Sequence, residues 1–151
     1  MRLVILFFLF VSTASLQEDW LSWMLIRAEE HWGQHKSVSI KFSTNHKFPQ
    51  FAMDSCNYGK TNFGGIFDAL TNEILLNPYC AFQPTGLSGI ETFRIIEHEY
   101  GHALGVVHSS NYNSVMYWKA DGQERSITKE DLFKVNLNLT SEELAQILNE
   151  K

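Results

Sequence analysis

The sequence predicts one small domain of mixed helix and strand, α/β or α+β. Three observations carry that expectation. The chain has 151 residues, 44% hydrophobic and 19% charged, which suits one packed core and argues against wholesale disorder. Helical periodicity appears at 18–32 and again from about residue 89. Short strand-like runs lie between these stretches, and no repeat, low-complexity segment or linker divides the chain.

Arg2, the apolar run 3–11 (LVILFFLFV) and the small residues Ser12, Thr13, Ala14 and Ser15 have the layout of a secretory signal peptide. Residues 1–15 are therefore expected to be removed and 16–151 to form the domain; a buried N-terminal strand is the alternative. The run is shorter than the roughly 20 residues a membrane span takes. A secreted, extracellular protein with no membrane span is expected.

Glu18 to Trp32 predicts a helix, with Trp20, Trp23, Met24 and Ala28 as its apolar face. Ser37 to Ser43 alternates, placing Val38, Ile40 and Phe42 on one side of a half-buried strand. Residues 44–71 read as loops with one short strand near 51–53. Glu73 to Leu76 reads as a short strand, and the following Asn77-Pro78 suggests a sheet edge. Ser88 and Glu91 fit a capping box, so a helix should begin near Gly89. Phe93, Ile96, Tyr100, Ala103 and Leu104 form its apolar face, and Gly105 is its natural stop. Ser141 to Lys151 reads as a last short helix, with Leu144, Ile147 and Leu148 packing on the domain.

The net charge of -5, with no basic run, argues against nucleic-acid or anionic-membrane partners. In an oxidising compartment Cys56 and Cys80 would form one disulfide, closing a loop of about 24 residues and stabilising by roughly 3 kcal/mol. Two unpaired thiols are the alternative. Asn138-Leu139-Thr140 is an N-glycosylation acceptor.

The chemistry-bearing segment is His98-Glu99-Tyr100-Gly101-His102. On a helix, His98 and His102 project from one face a turn apart, so both can ligate one zinc ion. Glu99 adjoins them and can reach the open position of the metal, where a carboxylate can take a proton from water. A chain turn at Gly105 would bring His108 back as the third ligand. H-E-x-x-H alone is weak evidence, but HEYGHALGVVH (98–108) fixes five positions at set spacing.

HEYGHALGVVHS resembles the zinc signature of the metzincin peptidases, most closely the matrixins. Met116, eight residues after His108 within Ser114-Val115-Met116-Tyr117, is similar to the family's Met-turn. The resemblance implies an α+β fold: a small twisted mixed sheet packed on the active-site helix, with further helices at the start and the C-terminus. Residues 28–43 are similar to a matrixin's first helix and second strand. Ile127 to Asn138 looks like its last helix, with Thr128 or Ser126 as N-cap. It also implies that a peptide pairs with an edge strand just before the active-site helix. Glu73 to Asn77, with Glu73, Ile74 and Leu75, matches that role; the segment 118–125 would form the wall of the main specificity pocket, lined by Trp118, and Tyr117 or Tyr112 would assist at the oxyanion. A plain core or surface role for Trp118 is the alternative.

There are departures. No cysteine-switch motif precedes the domain, the calcium and structural-zinc residues of matrixins are out of register, and His31, His35 and His46 read as surface residues. The chain therefore resembles a divergent, minimal matrixin with one catalytic zinc and no calcium. A monomeric, secreted zinc endopeptidase acting on protein or peptide substrates is expected, with Glu99 as general base. The alternative is a secreted zinc-containing protein that binds without cleaving.

Overall fold

The computed structural model describes residues 13–43, 64–77, 89–118 and 123–137. Helix α1 spans Thr13–Trp32, strand β1 Ser39–Phe42, β2 Gly65–Asp68 and β3 Glu73–Leu76. Helix α2 spans Gly89–Ala103 and α3 Lys129–Leu137. The expected α+β class is what the chain adopts: among the described residues there is a three-stranded mixed sheet, order β1-β3-β2, with helices packed beside it. Among the described residues no helix is long and apolar enough to cross a membrane.

Helix α1 starts at Thr13, five residues before the predicted start and inside the segment expected to carry the cleavage site. Its core face is Leu21, Met24, Ala28 and Trp32. Trp23 is a correction: it is 57% exposed, because the buried stripe runs through its neighbour Met24, about 100° round the helix. Gly33 ends the helix at φ 63, donating its N–H to Glu29 O at 2.9 Å, a left-handed cap that suits glycine.

The strand Glu73–Leu76 is also corrected: it is central, not an edge. β1 pairs with it in parallel and β2 antiparallel. Ile74, Leu75 and Leu76 are all buried. Three consecutive buried apolar residues mark a strand covered on both faces. Proline lacks only its own N–H, so a proline at 78 leaves Asn77 N–H free to donate to Gly64 O (2.9 Å). With both backbone edges occupied, Glu73, Ile74 and Leu75 have none to offer a peptide. β2, read from sequence as loop, is a true strand and has β3 as its one described neighbour. The β2–β3 connection uses Asn72 at φ 56, whose side-chain amide donates to Ser37 O.

Helix α2 follows its predicted limits. Ile96, Tyr100 and Ala103 are buried, and Gly105 turns the chain at φ 85. Tyr100 OH donates to Gln34 O (2.9 Å) and accepts from Lys36 N–H (2.7 Å), tying the α1–β1 connection to α2. Trp32 Nε1–H donates to Glu97 O at 2.9 Å. At Gly101 the two helices meet: a Cβ there would lie 2.6 Å from Trp32 Cζ2 and would strike Met116 Sδ. Thr128, not Ser126, caps α3. Thr128 N–H donates to Asp131 Oδ2 (2.9 Å) and Asp131 N–H to Thr128 Oγ1 (3.3 Å), a reciprocal box. The expected signal segment up to residue 12, the strand near 51–53, Cys56, Cys80, Asn138 and the helix 141–151 lie outside the described residues.

Candidate metal centre

His98 and His102 stand one turn apart on α2, with ring centroids 4.8 Å apart. After Gly105 the chain doubles back, Val106 N–H donating to Gly101 O at 2.9 Å. This returns the His108 ring to 5.2 Å from His98 and 4.8 Å from His102. One ligand nitrogen from each histidine lies within 4.8 Å of the other two. His102 Nε2 and His108 Nε2 are 3.2 Å apart. Nitrogens at two corners of a tetrahedron with Zn–N of 2.0–2.1 Å are separated by roughly 3.3–3.4 Å, so the spacing fits a shared zinc ion.

Hydrogen bonds settle which ring nitrogens face inward. His98 Nδ1 lies 2.7 Å from Val115 O, and His102 Nδ1 lies 2.8 Å from Val106 O. A carbonyl only accepts, so each Nδ1 carries the proton and each Nε2 keeps a lone pair for the metal. Burial supports the neutral form. It pushes His98 down to about 4, against the Val115 bond, which acts the other way, and it lowers His102 as well.

Glu99 is 7% exposed. Its Oε2 accepts the Phe67 N–H at 2.9 Å. Because Asn77 bonds Gly64, the pairing alternates and Phe67 N–H points away from β3, toward α2. Burial raises the Glu99 carboxyl to about 7, against the Phe67 bond. The close approach needs glycines: a Cβ on Gly65 would lie 2.8 Å from Ile95 Cγ2 and 3.0 Å from Glu99 Cγ.

Met116 is fully buried in the turn after His108, against α2 at Gly101, next in sequence to His102. Tyr117 N–H closes the turn onto Ser114 O (3.0 Å), and Ser109 N–H donates to Met116 O (2.8 Å). Ser114 Oγ accepts Met116 N–H at 2.9 Å and donates toward the buried Asp131 carboxylate at 2.8 Å. Tyr117 is half-buried, and Trp118 is 64% exposed, its ring 5.8 Å from Tyr117. His31 and His35 bond Glu97 and Glu29 (2.8 and 2.7 Å) and take no part in the triad.

Phe67, Ser114 and Asp131 were not anticipated as supports of the site. A backbone donor such as Phe67 N–H leaves no trace in residue identity. The pair Gly64-Gly65 was the available hint of a close approach. Thr128 and Asp131, three apart, were the hint of a cap.

A helix bearing two histidines and a buried glutamate, a third histidine beyond a glycine turn, and a methionine turn against that helix define a metzincin-type zinc centre. The matrixin family model matches residues 14–137, more than half of the sequence, and the chain belongs to the matrixin family, a family of zinc metallopeptidases. No curated protein gives a significant match to the chain.

Proposed function

We propose that the protein is a secreted zinc endopeptidase that hydrolyses peptide bonds with Glu99 as general base. The observation that carries this reading is the convergence of His98, His102 and His108 beside the buried Glu99 carboxylate. The three histidines would hold one zinc ion, which supplies an acidified water and a Lewis acid for the scissile carbonyl. Phe67 N–H holds Glu99 Oε2, leaving Oε1 to take the proton from water and return it to the departing amine. Burial raises that carboxyl above its ordinary value, which helps it hold the proton between the two transfers. Met116 forms the apolar floor against α2. Tyr117 and Trp118 border the side-chain pocket of the substrate. Residues 1–15 direct secretion, the mature chain acts as a monomer on protein or peptide substrates, and no calcium takes part.

The test is zinc content per purified mature chain, followed by cleavage of a quenched peptide library with and without chelator. Glu99→Gln is expected to retain zinc and lose turnover. Equal cleavage by wild type and Glu99→Gln would assign the activity to something else. Bound zinc with no cleavage of any peptide would favour the non-catalytic binding protein.

A further inference from the structure

Residues 123–126 run beside the turn that carries Met116. Val115 N–H donates to Ser126 O at 2.8 Å, and Ser126 N–H donates to Asn113 O at 3.1 Å. Next to them, Arg125 Nε–H donates to the Tyr112 carbonyl at 2.9 Å. The Arg125 guanidinium carbon lies 4.8 Å from the Tyr112 ring centroid and 4.7 Å from that of Tyr117. The two rings are themselves 5.4 Å apart, inclined at 67°. A planar cation against two ring faces, with its Nε–H fixed on a carbonyl, is an arrangement that lysine does not reproduce.

Tyr112 and Tyr117 flank Val115, and the Val115 carbonyl receives His98 Nδ1 at 2.7 Å. The Arg125–Ser126 segment thus grips the turn at its two tyrosines and at the Val115 N–H. The carbonyl of that same residue sets the orientation of the first histidine.

We propose that Arg125 is a positioning residue for the metal centre: anchored on Tyr112 and Tyr117, it fixes the turn so that Val115 O aims the His98 ring. This rests on the reading of His98, His102 and His108 as zinc ligands. Loss of a group that orients a ligand typically weakens metal binding 10–100-fold.

The test compares wild type with Arg125→Met, which keeps the apolar stem, and Arg125→Lys, which keeps the charge. Leu21→Ala, on the core face of α1, is the control for lost stability. Three quantities are read: zinc affinity by chelator competition, the absorption spectrum of the cobalt-substituted protein, and the urea midpoint of the metal-free protein. Arg125→Met is expected to bind zinc about 10–100-fold more weakly and to shift the cobalt spectrum. Arg125→Lys should recover little of either, and Leu21→Ala should lose stability while keeping both. Wild-type affinity and spectrum in Arg125→Met overturn the proposal, as does full recovery in Arg125→Lys or an equal loss in Leu21→Ala. Should Arg125→Met not fold, Arg125→Lys decides alone. A wild type that takes up no zinc sinks the metal reading itself. A zinc-loaded wild type with unaffected Arg125 variants sinks only this inference.

Discussion

His98 Nδ1 meets the carbonyl oxygen of Val115 at 2.7 Å, across 17 residues of sequence. His102 is held in the same way, but by Val106, only four residues on. The first histidine is therefore oriented by a long-range contact and the second by a local one. Whatever holds the turn at Val115 bears on the hydrogen bond that orients the first.

Ser114, within this turn, ties it to α3 through Asp131. Its hydroxyl accepts Met116 N–H and donates toward Asp131, which is fully buried. Ser114→Ala strands a buried N–H and deprives a buried carboxylate of a donor. A loss of about 1–3 kcal/mol is expected in urea unfolding of the metal-free protein. Zinc should also bind more weakly, because the turn loses its brace. Unchanged unfolding and zinc affinity would show that the hydroxyl is dispensable.

Gly101 reverses an ordinary rule. In a helix interior, Gly→Ala usually stabilises by about 1 kcal/mol. Here the new methyl would meet Met116 Sδ and lie 2.6 Å from Trp32 Cζ2, inside the core. Gly101→Ala is expected to destabilise by about 1–3 kcal/mol through overpacking. Gly33→Ala gives the contrast: its Cβ would meet nothing within 4 Å, so its cost of about 1–2 kcal/mol comes from the positive φ alone. Thermal unfolding of the two variants separates space from backbone strain. A stabilised Gly101→Ala would mean that the helices part easily at this point.

These pairs show where the sequence was readable. The triad, Glu99 and the end of α2 depend on helical period and a glycine stop, both local features. The centrality of β3 was not readable, because the β1 partner that makes it central lies more than 30 residues away. Pro78 then misdirected the reading, since a proline after a strand speaks only for its own missing N–H. Trp23 misled for another reason. Its size argued for burial, but a helix buries a stripe, and Leu21, Met24, Ala28 and Trp32 already fill it.

The pairing of β1 with β3 carries a pH signature. Lys41 Nζ lies 2.6 Å from Glu73 Oε1. The Lys41 hydrogen bond holds the Glu73 carboxyl below its ordinary 4.5, with burial opposing it. The unfolded chain therefore takes up this proton first as pH falls. The stabilisation is complete above about 4.5 and is lost as pH drops through the lower folded value. Urea midpoints of wild type and Glu73→Gln, measured from about pH 6 down to about pH 3, should differ most at the upper end and converge toward the lower. A gap that stays constant across that range would show that the ion pair contributes nothing to the acid sensitivity.

Gly65 tests the link between strand and carboxylate. A methyl there would lie 2.8 Å from Ile95 Cγ2 and 3.0 Å from Glu99 Cγ, with Leu76 Cδ2 behind it at 3.4 Å. β2 would have to move off α2, and the 2.9 Å bond from Phe67 N–H to Glu99 would lengthen. A hydrogen bond to a charged group contributes about 1.5–3 kcal/mol. Gly65→Ala should therefore lower kcat by roughly 10–100-fold, at 1.36 kcal/mol per tenfold. Zinc content should stay at the wild-type level, because His98, His102 and His108 lie off this contact. Turnover equal to wild type would show that Glu99 is aimed by α2 alone and that the strand only bounds the site.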